Sequence, residues 1–238
     1  MGEVLGLVDA ITDFDPTWTD QTSTALWGPW QDEGGVYGRM WLTDTEAGYD
    51  WAIELQADAT DDDGWSPVLV GHVDPGAEES HSKGWFAMDF DAIEAVGAGD
   101  GTTGGVACEY ELLEDGASAR LAFGDVSDDG SVPEDGAYRW EHTRGEGGLM
   151  DVAVAGDVTE PPNGTTELLI VRSRWNGEGA GRADATVTGG DLGALAYTES
   201  DCWDAGHTTT FFENNFELTS QGDPASCAFA EPSFNDAR

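Results

Sequence analysis

Positive charge is what this chain has least of. Nine basic residues stand against 48 acidic ones, Lys83 is the only lysine, and the formal net charge is −39 over 238 residues. Binding nucleic acid takes clustered Lys and Arg that displace counterions from phosphates, so no nucleic acid partner is expected. Anionic lipid surfaces are disfavoured for the same reason. A chain this negative repels itself, and salt at physiological strength screens the repulsion over roughly 8 Å. The expectation is a solvated, halophilic-like acidic surface suited to a saline exterior, with cation binding as the functional alternative.

Long apolar runs are missing as well. No stretch of about 18 apolar residues exists, so no membrane span is expected. The opening Met1–Leu7 has neither a basic stretch nor a long apolar one. It is not read as a signal peptide, and an exported protein is expected to have had its signal removed. Disorder is not the consequence of this composition. Hydrophobic residues make up 39%, with 10 Trp, 9 Phe and 5 Tyr, which is ample for the core of one domain over 1–238.

Motifs for catalysis are absent too. There is no G-x-S-x-G elbow for a nucleophile. His72, His81, His142 and His207 are scattered without H-x-x-x-H spacing, and no C-x-x-C accompanies them, which argues against zinc. Carboxylate pairs are uninformative in a chain with 48 acids. The glycine-rich Gly177–Arg182 lacks the Lys-Ser/Thr ending of a phosphate loop and precedes a strand pattern, so it reads as a hairpin turn. No enzyme is expected. One partial metal motif stands out: Asp125, Ser127 and Asp129 followed by Gly130 match the first half of a calcium loop. Gly136 occupies the twelfth position, where a bidentate Glu belongs, so the competing reading is an Asp-rich hairpin turn. Ca²⁺ is the one candidate cofactor.

What the chain does contain is period-two alternation. Trp51, Ile53 and Leu55 share one strand face; Phe86, Met88 and Phe90 another; Ala119, Leu121 and Phe123 a third; and Tyr138, Trp140 and His142 a fourth. The run Leu168–Val171 fits a strand covered on both sides. Adding 36–43, 67–74, 105–112, 149–158, 181–188 and 207–218 makes about eleven strands. Turn signals such as Asp63-Gly64, Asp115-Gly116 and Asn176-Gly177 lie between them, because Asp-Gly and Asn-Gly accept the positive φ of tight turns. Helix is scarce. Residues 3–14 allow one short amphipathic helix with Val4, Leu7, Val8 and Ile11 on a face, and Phe90 to Val96 allow a turn or two. The fold class is all-β: an antiparallel barrel or strongly curved half-barrel with a short N-terminal helix. Residues 1–35 form the helix and a Trp-rich lead-in.

Three cysteines are present. Cys202 and Cys227 flank the last strand candidate, and a bridge between them would stabilise by roughly 3.5 kcal/mol through loop closure; the even pair suggests an oxidising compartment, with an all-reduced chain as the alternative. Cys108 is in phase with Val106, Tyr110 and Leu112 and reads as a buried free thiol.

The C-terminal third resembles uncharacterised secreted proteins or lipoproteins of myxobacterial type. The likeness rests on Ser173-Arg174-Trp175, Gly179–Asp184, Gly189-Gly190-Asp191-Leu192 and Ser200–Asp204 with a later Cys227-Ala228-Phe229. It implies export to the periplasm, outer envelope or exterior and a Cys202–Cys227 bridge closing the 200–238 tail, but no activity. The strand count, leading helix and aromatic face are also similar to the half-barrels of periplasmic lipoprotein carriers, a fold-level analogy only. The sequence departs from a lipobox in having no N-terminal cysteine.

The expected function is a non-enzymatic exported protein that holds an apolar ligand, a lipid or acyl chain, in a curved sheet. Lining residues are expected to be Trp51, Ile53, Leu55, Phe86, Met88, Phe90, Tyr138 and Trp140. The alternatives are a carbohydrate-binding module using Trp platforms and a purely structural surface protein. Oligomeric state is not legible.

Overall fold

The structure, a computed structural model, describes residues 2–57, 63–76, 81–128, 131–159 and 164–234. A helix α1 (Gly2–Thr12) precedes β1 (Trp18–Thr19), β2 (Thr24–Gln31), β3 (Tyr37–Thr45), β4 (Gly48–Gln56), β5 (Ser66–Asp74) and β6 (Ser82–Asp89). Then come α2 (Phe90–Ala95), β7 (Thr103–Leu113) and β8 (Gly116–Ser127). They are followed by β9 (Glu134–Thr143), β10 (Gly147–Gly156), β11 (Glu167–Asn176), β12 (Gly181–Gly189), β13 (Ala196–Trp203), β14 (Thr209–Asn214) and β15 (Thr219–Gly222). Each strand neighbours the next in one antiparallel meander ordered β1 to β15. The all-β expectation holds, with two corrections. Among the described residues there are fifteen strands rather than about eleven, and the order is open, with β1 paired only to β2 and β15 only to β14, so no barrel closes.

The four further strands lack a readable apolar alternation, each for its own reason. In β2 the Gly28-Pro29 pair interrupts the alternation, and the pairing with β3 shifts register between Trp27 and Trp30. β13 alternates Tyr197, Glu199 and Asp201 with Thr198, Ser200 and Cys202, so neither face reads as hydrophobic. β1 is two residues long, and β15 is an exposed polar edge. Phe90 is a further correction. It opens α2 instead of continuing the face of Phe86 and Met88, because the Asp89 side chain accepts the Ala92 N–H and caps a helix there.

The chain divides into two compact units. The first comprises Met1–Glu111 with Asp125–Ser131, and the second Leu112–Gly124 with Val132–Arg238. In the first unit one face of β2–β6 is the core. Two cross-strand rows build it: Trp27, Met40, Ile53, Leu69 and Met88, then Ala25, Leu42, Trp51, Gly71 and Phe86. Met40 is fully buried, and Trp27, Trp51, Ile53, Leu69 and Phe86 are nearly so. α1 leaves Leu7 exposed, and the Trp27 indole N–H donates to the Phe14 carbonyl just beyond the helix.

In the second unit one face of β11–β14 is buried, and its core is partly polar. Ile170, Cys202 and Phe211 lie beside Arg182 and Asp184. The Arg182 guanidinium donates twice to Asp184 (2.7 and 2.6 Å), and the Ser200 hydroxyl donates to the same carboxylate at 2.6 Å. Asp184 thereby pushes the Arg182 pKa upward. The Cys202–Cys227 bridge, with Cα atoms 5.3 Å apart, ties the C-terminal tail to this face, whereas Cys108, in the first unit, is a buried free thiol.

Aromatic rings over strand glycines recur in both units. Trp30, Trp51, Trp175 and Trp203 are register partners of Gly38, Gly71, Gly148 and Gly181 on an adjacent strand. A Cβ at any of these glycines would come within 3.0 Å of the partner ring. Glycine weakens a strand by itself, but here its missing side chain is the space in which the indole lies.

Candidate functional site

Among the anticipated lining residues, Trp51, Ile53, Leu55, Phe86 and Met88 fall together on the core face of the first unit. Trp51, Ile53 and Phe86 are 4%, 7% and 3% exposed, so these side chains pack against one another across the sheet. Tyr138 and Trp140 lie in the second unit on β9, where the His142 ring stacks between Trp140 (6.1 Å) and Trp175 (6.2 Å). The Trp175 N–H donates to His142 Nδ1 at 3.3 Å, so this histidine is held as a packed acceptor. Of the eight, only Tyr138 borders the groove described next.

That groove, of about 560 Å³, lies on the second unit across β8–β11. The register explains its shape. Ala137, Ala153 and Ile170 are cross-strand partners, and so are Asp135, Ala155 and Leu168 one pleat further along. In β10 the alternation Val152-Ala153-Val154-Ala155 sends the valines to one face and the alanines to the other, so the alanine side stands low between taller neighbours. Leu168, which the sequence placed in a doubly covered strand, is 36% exposed at this edge.

The next row on the same face is charged. Arg139, Asp151, Arg172 and Asp184 are consecutive register partners across β9–β12. Asp151 is held by Arg174 at 2.8 Å, and Arg139 by Glu141 at 2.7 Å. Arg172 has the Phe234 ring 6.0 Å away, and Arg120 of β8 closes the same end of the groove. From Cys227 the tail reaches Glu231, 4.0 Å from Arg182, and then Phe234 at Arg172. Three of the nine basic residues therefore edge one apolar groove. The sequence reading missed Arg120, Arg139 and Arg172. The available signal was that six of the eight arginines fall between positions 120 and 182 in a chain otherwise dominated by acid.

The first unit carries a different cluster on its non-core face. Arg39 on β3 lies over the rings of Trp41 (5.2 Å) and Trp65 (4.2 Å). Glu54 on β4 accepts from both Arg39 (2.5 Å) and the Trp41 indole N–H (3.0 Å). Trp18 meets Trp41 edge-on at 5.9 Å and is 49% exposed.

Of the calcium-loop candidates, Asp129 lies outside the described residues. Asp125 adopts φ 53°, and the Ser127 hydroxyl donates to the Ser131 carbonyl at 2.8 Å while Ser131 Oγ accepts the Asp128 N–H at 3.0 Å. Ser127 is thus engaged in closing its own turn. Gly177–Arg182 forms the β11–β12 hairpin, where Asn176 Oδ1 accepts the N–H groups of Glu178 and Ala180. Among the described residues no group of three or more His, Cys, Asp or Glu is placed to hold a metal ion. Among the described residues no helix is long and apolar enough to cross a membrane. No family model, curated protein or solved structure matches the chain.

Proposed function

We propose that this is a non-enzymatic, exported binding protein whose ligand is an apolar chain lying in the groove of the second unit. The observation that carries the reading is the groove itself. Its volume falls in the range of about 300–1,000 Å³ typical of small-ligand sites. Its floor is Ala137, Ala153, Ala155 and Ile170, which offers a chain apolar surface without side-chain rearrangement. This moves the ligand from the aromatic residues that the alternation suggested to an alanine-floored face of the other unit. Export is supported by the disulfide, which forms and persists in oxidising compartments. The likeness of the C-terminal third to secreted proteins of myxobacterial type points the same way.

The test is binding of a neutral single-chain probe, dodecanol, followed by calorimetry. Ala153→Trp, which fills the groove floor from a half-exposed position, should abolish uptake while leaving the unfolding midpoint within a few degrees. Undiminished binding by that variant would move the ligand elsewhere.

A second reading has its own observation. Trp18, Trp41 and Trp65, with Arg39 and Glu54 among them, form a half-buried aromatic cluster, exposed at Trp18 and bearing hydrogen-bonding groups, as a saccharide platform requires. Soluble glucans should then bind and protect the Trp18 indole from oxidation, and Trp18→Ala should lose that binding.

A further inference from the structure

We propose that the groove selects an anion: a single-chain carboxylate whose head sits among Arg120, Arg139 and Arg172 and whose tail runs over the alanine floor. The inference rests on the groove reading above and adds the chemistry of the ligand's head.

The register gives the groove a direction. The arginine row, the Ala137–Ala153–Ile170 row and the Ala155–Leu168 row succeed one another along the strands. Alternate residues on one face are roughly 7 Å apart, so the three rows span about 14 Å from cationic end to apolar end. At the far end stands Asp135. An amphiphile with an anionic head fits this polarity in one direction only, because reversing it would set the head against Asp135 and the methyl end against guanidinium groups.

Charge pairing points the same way. Asp151, the acid within the arginine row, is already taken by Arg174, and Asp184 by Arg182. Arg139 is held by Glu141 at the rim, with its guanidinium partly exposed. Arg172 has the Phe234 ring for company, and neither it nor Arg120 makes a hydrogen bond or ion pair with a described residue. In a chain with 48 acidic residues, carboxylates are the most available partner type. Arg120 on β8 and Arg172 on β11 line the groove with Arg139 and Asp151 on the two strands between them, and with no acceptor for either among the described residues, a ligand carboxylate can supply one. Guanidinium forks match a carboxylate geometrically, and charge-assisted bonds of this kind are about twice as strong as neutral ones.

The net charge sharpens the argument. At −39 the molecule as a whole repels anions and attracts cations. Long-range electrostatics would therefore favour a cationic amphiphile over an anionic one. A preference for the anion has to come from a local arrangement of positive groups, and this groove supplies one.

The experiment compares dodecanoate, dodecanol and dodecyltrimethylammonium on the intact protein, disulfide formed, at pH 7.5 and 0.15 M salt, by calorimetry. Dodecanoate should bind at least tenfold more tightly than dodecanol, and the ammonium most weakly. Arg120→Gln with Arg172→Gln should remove the difference between dodecanoate and dodecanol without weakening dodecanol. Arg172→Lys, which keeps the charge and loses the fork, should retain part of the preference. Unfolding midpoints of all variants check that the sheet is intact. Equal affinity for dodecanoate and dodecanol would overturn the anion inference and leave the groove reading standing. So would a preference for dodecanoate that survives both arginine substitutions. If neither dodecanoate nor dodecanol binds, the groove reading falls and this inference with it.

Discussion

The pairing of tryptophan with glycine across neighbouring strands makes a sharp prediction at Trp51 and Gly71. The two are register partners, Trp51 is 4% exposed, and a Cβ on Gly71 would come within 3.0 Å of both the indole ring and the Trp85 carbonyl. Gly71→Ala combines two opposed effects. Replacing glycine in a strand interior stabilises by roughly 0.5–1 kcal/mol through backbone entropy. Forcing a methyl group into a packed contact costs about 1–3 kcal/mol. The contact should win, for a net loss of about 1–2 kcal/mol, or a fall of roughly 2–8 °C in midpoint for a chain of this length. Trp51→Leu vacates the space over Gly71, so Trp51→Leu with Gly71→Ala should be more stable than the sum of the single changes by about 1 kcal/mol. Gly6→Ala is the control: nothing lies within 4 Å of its added Cβ, and it should stabilise slightly. Urea titrations followed by tryptophan fluorescence and far-UV circular dichroism give the four values. A neutral or stabilising Gly71→Ala, or strict additivity in the double variant, would refute the claim that the indole occupies the glycine's space.

Three further predictions concern stability. Reducing Cys202–Cys227, which closes 25 residues, should cost about 3.5 kcal/mol by loop entropy, seen as a lowered denaturant midpoint for Cys202→Ser; an unchanged midpoint would mean that the tail contributes nothing to the second unit. The net charge of −39 should make the thermal midpoint rise with sodium chloride up to about 1 M, where the screening length is about 3 Å, and a flat or falling midpoint would count against self-repulsion. Glu167 is 1% exposed, and although burial alone would raise its pKa, the Thr165 hydroxyl and the N–H groups of Asp191, Val158 and Thr159 hold it below the usual carboxylate range. A depressed folded pKa contributes stability that is in place above the unfolded value of about 4.3 and is lost as pH falls through the folded value. Glu167→Gln, which turns an amide N–H toward those donors, should therefore be less stable at pH 7, with the gap from wild type closing as both are acidified; a gap constant with pH would show that the carboxylate charge is not what matters.

The sequence by itself determined the all-β class, eleven of the strands, the turn at Asn176–Gly179 and the buried state of Cys108. Each follows from local chemistry: period-two alternation, residues that accept positive φ, and the phase of a thiol among apolar neighbours. Strands whose neighbours rather than their own pattern make them strands stayed illegible. β13 carries polar residues on both faces and is a strand because β12 and β14 bond to it on either side. Only the tertiary structure decided which faces are covered. Alternation says that Trp51, Ile53 and Leu55 share a side, but it carries no information on whether that side faces a ligand or Met40 and Leu69. The groove depended on register in the same way. Ala137, Ala153 and Ile170 lie far apart in the chain, as do Arg139 and Arg172, and each set becomes a row only when three strands align to the residue. A shift of one position would turn every one of these side chains to the opposite face. Where side chains meet across strands is a long-range property set by turns, bulges and packing together, and so a cationic rim on an apolar floor could be assembled from residues that singly look like ordinary strand positions.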